Sequence, residues 1–156
     1  MNDSTELEYV GFWPRVWASI IDTILIMLVT APLARIVYGS GYFSYDYGAT
    51  IRGPEDFLIT FVLPAIAVIA FWTAKHATPG KIAIGARIVD EKTGGAPSLR
   101  QHVIRYLGYF VSIFPACLGL IWVAFDSKKQ GWHDKLAGTV VVRPKNRKPE
   151  PVRFGG

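Results

Sequence analysis

The chain has 156 residues, of which 51% are hydrophobic and 19% charged, and its formal net charge at pH 7 is +5. Soluble domains carry about 25% charged residues, so the composition favours one small integral membrane domain. The basic residues flank apolar segments, and the sequence has no zinc pattern or RNA-binding signature, which excludes nucleic acid as a partner.

Three apolar segments organise the chain, at residues 16–37, 57–74 and 106–125. Each is close to the roughly 20 residues that a helix needs to cross a bilayer. The first ten residues hold three acids and no lysine or arginine, which is the wrong charge for a signal peptide. The first segment is therefore expected to remain in the protein as a membrane anchor.

The first helix is predicted to begin at Pro14, because proline is well tolerated at the first helical position. Arg15 and Asp22 lie two helical turns apart and project from the same face, with Ser19 between them. An ionised carboxylate inside a lipid-embedded helix costs about 2.5–3.5 kcal/mol, so Asp22 needs a partner or a proton. Two interpretations stay open: a titratable or cation-binding site, or an Arg15–Asp22 ion pair that locks the helix against its neighbours.

The second helix is predicted to begin at Pro54, with Glu55 and Asp56 in the first turn, where the helix dipole favours acids. Pro64 lies inside this helix and predicts a kink. The preceding loop, residues 38–56, is rich in Tyr, Gly and Ser, which is typical of a wet, non-cytoplasmic surface.

Residues 75–101 form the polar centre of the chain. The run Thr78-Pro79-Gly80-Lys81 predicts a cap and turn, and it lacks the first glycine and the spacing of a phosphate-binding loop. Residues 86–90 and 139–142 have strand character. We expect these two strands to pair on the cytoplasmic side.

The third helix is predicted to start at a capping box of Ser98 and Gln101 and to be broken between Pro115 and Gly119. Three full crossings would place the two most basic parts of the chain on opposite sides of the membrane, against the positive-inside tendency. A third segment that enters and returns would place both inside. The predicted fold class is an all-α membrane protein with three hydrophobic membrane helices, the third broken and either spanning or re-entrant, plus a two-stranded cytoplasmic β element.

Asp126 ends the third segment, where the helix dipole disfavours a carboxylate. Either a nearby cation (Arg105, Lys128 or Arg15) compensates for it, or Asp126 is a turn acid that begins the bend at residues 126–129.

His133-Asp134 has no second histidine at helical spacing and no nucleophile motif, so it is expected to hold the cytoplasmic turn to the strands. Lys75, Lys81 and Arg87 are expected to be solvated or lipid-facing. The lone Cys117 is expected to pack on an apolar face, without a disulfide or a metal.

Together these residues resemble the RDD family of small multi-pass bacterial membrane proteins, which is named after one arginine and two aspartates. The resemblance is carried by Arg15 and Asp22, then Thr78-Pro79-Gly80-Lys81, Gly85, Arg87, Val89, Asp90 and Arg105, and finally Phe125-Asp126 with residues 131–139. It implies that Asp126 is the second aspartate, with Asp134 as the alternative. It also implies location in the bacterial inner membrane, and transport of unidentified ligands, including monovalent cation/proton antiport.

The resulting division is an N-terminal tail at residues 1–13, an RDD-like membrane domain at 14–143 and a disordered basic tail at 144–156. The motif residues assigned a structural cytoplasmic role are Thr78, Gly80, Lys81, Arg87, Asp90, His133 and Asp134.

The leading functional hypothesis is cation/proton exchange by a homo-oligomer in the lipid bilayer. In it Asp22 alternates between a proton and a cation, Arg15 tunes the pKa of Asp22, and Asp126 is a second acceptor. The alternative is a non-transporting membrane scaffold or assembly partner, in which Arg15–Asp22 is a structural ion pair. Neither hypothesis involves enzymatic activity, a cofactor or a metal.

Overall fold

The computed structural model describes residues 6–39 and 53–145. Within these ranges the elements, in chain order, are β1 (Leu7–Tyr9), α1 (Phe12–Tyr38), α2 (Pro54–Lys75), α3 (Pro79–Ala83), β2 (Arg87–Asp90), α4 (Leu99–Ile113), α5 (Leu118–Ala124), α6 (Trp132–Ala137) and β3 (Thr139–Pro144). Most of the predicted loop at residues 38–56 and of the predicted tail at 144–156 lies outside the described residues.

Helices α1 and α2 are each long and apolar enough to cross a membrane, with 27 and 22 residues. Helix α1 begins at Phe12, two residues before the predicted start at Pro14. Phe12 lies about one helical turn before Arg15. Helix α2 begins at Pro54, as predicted, with both acids in its first turn.

Pro64 is accommodated inside α2 by a change of helix type. The stretch Leu58–Val62 is π-helical, between α-helical stretches at Pro54–Phe57 and Leu63–Lys75. Proline has no N–H to donate and its ring crowds the carbonyl of the residue four positions earlier, so a wider turn just before it relieves the clash. The irregularity predicted at Pro64 therefore takes the form of a π-turn.

The β element has three strands rather than the predicted two, in the order β1-β3-β2. The predicted pairing is confirmed: β2 and β3 are antiparallel, with Val89 opposite Val140. The added strand, β1, pairs with the outer part of β3, with Leu7 opposite Pro144. Residues assigned to the two tails at 1–13 and 144–156 thus contribute to the sheet.

The sheet, the start of α1 and the end of α2 lie at the same end of the molecule. Val10, Trp72, Ile88 and Val141 are almost completely buried and form one core cluster there. The Ile88 amide also donates a hydrogen bond to the carbonyl of His76, just after α2, at 2.6 Å. Both candidate spans therefore have one end anchored at this sheet.

The predicted break in the third segment is confirmed. Helices α4 and α5 are bent by 112° at residues 114–117. Ala116 and Cys117 adopt positive φ angles in this turn, and Gly119 folds back so closely that an added Cβ would lie 2.6 Å from Ser112 Cα. Cys117 is exposed, so the expectation that it packs on an apolar face is wrong.

The chain after α5 returns to the sheet end. Lys128 forms an ion pair with Glu91 at 2.7 Å, and the carbonyl of Lys129 accepts a hydrogen bond from Arg15 at 2.6 Å. A segment that starts and finishes at the same end is the arrangement that the re-entrant alternative requires.

Cysteine labelling tests this topology in a Cys117→Ala background. We expect Arg100→Cys and Ser127→Cys, which flank the bent segment, to react with a membrane-impermeant maleimide from the same side of the membrane. Glu55→Cys, at the start of α2, is the control and should react from the other side. Labelling of positions 100 and 127 from opposite sides would mean that the third segment spans the membrane.

Candidate functional site: a buried arginine–aspartate cluster

Asp134 is the centre of the most highly connected polar site among the described residues. Its side chain has no solvent exposure; one carboxylate oxygen binds Arg15 at 2.6 Å and the other binds Arg105. The Gly131 amide also donates to Asp134, at 3.0 Å. Burial alone would raise the pKa of Asp134, but the Arg105 and Arg15 guanidiniums outweigh it and hold that pKa far below its usual value.

The two arginines connect Asp134 to separate parts of the fold. Arg15, from α1, also donates to the carbonyls of Val10 at 2.9 Å and Lys129 at 2.6 Å. Arg105, from α4, is completely buried and donates to the Thr139 hydroxyl of β3 at 2.8 Å. We call Arg15, Arg105 and Asp134 the arginine–aspartate cluster. It ties α1, α4, α6 and the sheet together.

Asp22 lies apart from this cluster. The interpretation that Arg15 and Asp22 form an ion pair is therefore wrong. The Thr78 hydroxyl donates to one Asp22 oxygen at 2.5 Å and the Gly80 amide to the other at 2.7 Å. Two helical turns separate Arg15 from Asp22 by roughly 10 Å along the axis, so each finds a partner on another element. Ser19, between them, is exposed.

Gly80 is what lets α3 approach α1 at this point. A Cβ added to Gly80 would lie 2.0 Å from the carbonyl oxygen of Ala18 and 2.9 Å from Asp22 Cγ. The expected cap and turn at residues 78–81 is therefore also the contact between α3 and α1, and Thr78 uses its hydroxyl on Asp22 rather than on its own helix.

Lys81 is buried, which contradicts the expectation that it is solvated or lipid-facing. It is 7% exposed, and its amine lies 3.5 Å from the Thr78 hydroxyl without an ion pair to any described acid. Burial lowers the pKa of Lys81. Lys75 and Arg87 are exposed, as expected.

Asp126 lies near the surface, in the turn after α5. It accepts hydrogen bonds from the amides of Lys128 and Gln130, both at 3.1 Å, which is the turn arrangement weighed as the alternative. Its ion-pair partner is Lys135, not Arg105, Lys128 or Arg15. Lys135 was not expected as the partner because it belongs to the following helix.

Asp90 organises the turn after β2. It accepts hydrogen bonds from Gln101 at 2.5 Å and from the Thr93 amide at 2.8 Å. These bonds, with that from Gln101 the strongest, lower the pKa of Asp90 to about 2. The expected capping box of Ser98 and Gln101 is confirmed, and the same glutamine joins it to β2.

His133 is neutral, because burial lowers its pKa to about 3. The Ser112 hydroxyl lies 2.9 Å from the Gly108 carbonyl and 3.3 Å from His133 Nδ1. On the other side of the ring, Nε2 lies 3.5 Å from a carboxylate oxygen of Asp134, which favours the tautomer with its proton on Nε2. The ring stacks on Tyr109 at 4.0 Å between centroids.

Two cavities flank α1. The first, of about 440 Å³, lies between α1 and α5 and has Arg15, Lys81 and His133 in its wall. The second, of about 300 Å³, lies between α1 and α2 and is lined by apolar side chains together with Asp22 and Thr78. Among the described residues, no group of three or more His, Cys, Asp or Glu side chains is placed to hold a metal ion.

The family model described as the RDD family matches residues 9–138. The chain belongs to the RDD family. It is 41% identical to "Uncharacterized protein RP437" of Rickettsia prowazekii, over 88% of this chain and 98% of that relative. It is 29% identical to "Uncharacterized membrane protein YteJ" of Bacillus subtilis, over 88% of this chain and 82% of the relative.

A partial match extends the comparison to a differently named protein. The chain is 33% identical to "Proline-rich antigen" of Mycobacterium leprae, over 44% of this chain and 28% of that protein. No solved structure matches the chain. The family assignment and the two long apolar helices together identify an RDD family membrane protein.

Both candidates for the second family aspartate lie inside the matched range, but only Asp134 contacts Arg15. Arg105 was expected only as a family motif residue and as one of three cations near Asp126. No sequence signal indicates its buried partner, Asp134, because an arginine at the end of an apolar segment ordinarily reaches the membrane interface. That partner is 29 residues further along the chain, beyond any helical period.

Proposed function

We propose that this RDD family protein acts as a membrane scaffold or assembly partner whose charged residues hold the fold together. One observation carries the proposal: both carboxylate oxygens of Asp134 and both of Asp22 accept hydrogen bonds from protein donors. An acid that exchanges protons and cations must release such partners in every cycle. The donors to Asp22 include a backbone amide, which a change of side-chain rotamer does not remove.

The apolar surface supports a role in assembly within the inner membrane of a bacterium. Large side chains on the bent segment are exposed, among them Leu107, Phe110, Phe114 and Phe125. Exposed apolar patches of this kind mark contacts with lipid or with other proteins. We propose that lipid and a second copy of the chain cover them, and that the protein is not an enzyme.

Cation/proton exchange is the second candidate, and one observation favours it. Asp22 and Thr78 line the cavity between α1 and α2, and the same Thr78 hydroxyl lies 3.5 Å from the Lys81 amine beside the other cavity. A chain of polar groups thus connects the two sides of α1. In this mechanism Asp22 would be the group that takes up the proton.

Replacing Asp22 by asparagine separates the two functions. Asparagine keeps one acceptor oxygen, so we expect a loss of about 1–3 kcal/mol of stability from the unmatched Thr78 or Gly80 donor. Proteoliposomes of the wild type should show no proton-coupled Na⁺ or K⁺ flux, and the variant should show only a lower thermal unfolding midpoint and folded yield.

Glu55→Gln is the matched control, because Glu55 is an exposed acid at the start of α2. It should leave both stability and flux unchanged. Coupled flux by the wild type that disappears in Asp22→Asn at unchanged folded yield would overturn the scaffold proposal in favour of exchange.

A further inference from the structure

Lys81 is the most unusual charge in the described part of the protein. An ammonium group carries three N–H donors, and the only hydrogen bond described for this one is the long contact to the Thr78 hydroxyl at 3.5 Å. Asp22 is near enough to act on the charge of Lys81 but forms no ion pair with it among the described residues. Lysine is almost never fully buried without a partner, because removing its charge from water is costly. A buried ammonium group with unused donors is able to bind an anion that reaches it.

The cavity beside Lys81 has a charged end and an apolar length. Lys81 supplies positive charge to its wall, and Arg15, although paired with Asp134, keeps N–H donors that its three protein acceptors do not use. From Arg15 the cavity follows α1 past Val16 and Ile20 to Ile24, more than two helical turns away from the sheet. The charged end is therefore near the sheet, and the apolar walls run along the candidate membrane span.

The cavity wall opposite α1 is also apolar. Helix α5 contributes Leu120 and Ile121, and the turn before it contributes Cys117. Ile20, Ile24 and Ile121 are 40–52% exposed, so the apolar part of the cavity is open along the side of the helices. A volume of about 440 Å³ accommodates a headgroup with the first part of a hydrocarbon chain, and ligand cavities typically measure about 300–1,000 Å³.

We propose that this cavity binds an anionic phospholipid, with the phosphate at Lys81 and Arg15 and an acyl chain between α1 and α5. The orientation follows from the fold: the charged end lies at the sheet end of α1, and the apolar walls lead into the span. Charge complementarity selects an anionic headgroup. The site goes beyond the proposed scaffold function and does not depend on it.

The probe lipid follows from the charge of the site. Phosphatidylglycerol carries one negative charge and no cationic group, whereas phosphatidylcholine carries a choline cation that Lys81 and Arg15 would repel. Phosphatidylglycerol is accordingly the probe that matches the site, and phosphatidylcholine is the competitor.

The test uses the full chain in nanodiscs of phosphatidylcholine with a minor fraction of phosphatidylglycerol. The quantity measured is the phosphatidylglycerol retained per protein after delipidation and re-addition, by lipid mass analysis. We expect the wild type to retain phosphatidylglycerol over phosphatidylcholine, and Lys81→Met to weaken its binding about tenfold or more. Lys81→Arg should retain binding, and Lys75→Met, the exposed-lysine control, should match the wild type.

A second pair of variants protects the test against misfolding of Lys81→Met. Ile20→Trp fills the apolar part of the cavity and should reduce lipid retention, whereas Met27→Trp, exposed on α1 outside the cavity, should not. Equal retention by the wild type and by both Lys81→Met and Ile20→Trp would overturn the proposal. Displacement of the lipid signal by inorganic phosphate alone, without dependence on acyl chains, would also overturn it.

Discussion

Replacing Asp134 by asparagine is expected to destabilise the protein by about 3–5 kcal/mol, because it leaves two buried arginines to share a neutral partner. The total stability of a domain is about 5–15 kcal/mol, so this loss should sharply reduce the folded fraction. Thermal unfolding in detergent, followed by the fluorescence of the tryptophans, measures the effect together with the yield of monodisperse protein.

Asp126→Asn is the matched control, since Asp126 is the other candidate for the second family aspartate. Its hydrogen bonds belong to a surface turn and its ion pair is with a half-exposed lysine, so we expect a loss of about 1 kcal/mol. If Asp126→Asn proved the more damaging change, Asp134 would not be the acid on which the stability of the fold mainly depends.

A combined variant tests the reason for the effect. Arg15→Met and Arg105→Met together with Asp134→Leu remove every charge of the arginine–aspartate cluster at once. Apolar replacement of a buried ion-pair network is often neutral for stability. We expect the triple variant to unfold at a higher temperature than Asp134→Asn alone, which would show that unpaired buried charge, rather than the loss of Asp134 itself, causes the damage.

Gly80→Ala is expected to be the second most damaging change. The new Cβ would lie 2.0 Å from the backbone carbonyl of Ala18, which cannot rotate away as a side chain can. Either α3 shifts from α1, or the hydrogen bond from the Gly80 amide to Asp22 breaks, and overpacking of this kind costs about 1–3 kcal/mol or more. The same unfolding measurement reports it.

Gly95→Ala provides the comparison. An added Cβ at Gly95 would lie 3.4 Å from the Thr93 hydroxyl, which is close to ordinary van der Waals contact. We expect its unfolding midpoint to stay near that of the wild type. Equal midpoints for Gly80→Ala and Gly95→Ala would show that α3 does not pack against α1 as described.

Features set by local chemistry were predictable from the sequence. Pro54 and the two acids after it predict the start of α2, and Ser98 with Gln101 predicts the start of α4. Pro115 and Gly119 predict the break between α4 and α5. Strand β1 was missed because its three residues are too few to show an alternating pattern.

The sequence identified the residues of the candidate site but not the contacts between them. Arg15 and Asp134 are 119 positions apart, and Asp22 and Thr78 are 56 apart. Such contacts depend on how the helices pack, and the short periodic patterns of the sequence do not indicate this packing. The burial of Lys81 was missed for the same reason, because the groups that enclose it come from other helices.

The pairing of β1 with β3 places Glu6 beside Lys145, whose amide donates to the Glu6 carbonyl at 2.8 Å. Glu6 and Lys145, where the described fold begins and ends, are therefore neighbours, so this unit can be inserted into a longer polypeptide without a large change in the path of the host backbone. Proteins fused at these two positions would lie side by side, on the same side of a membrane.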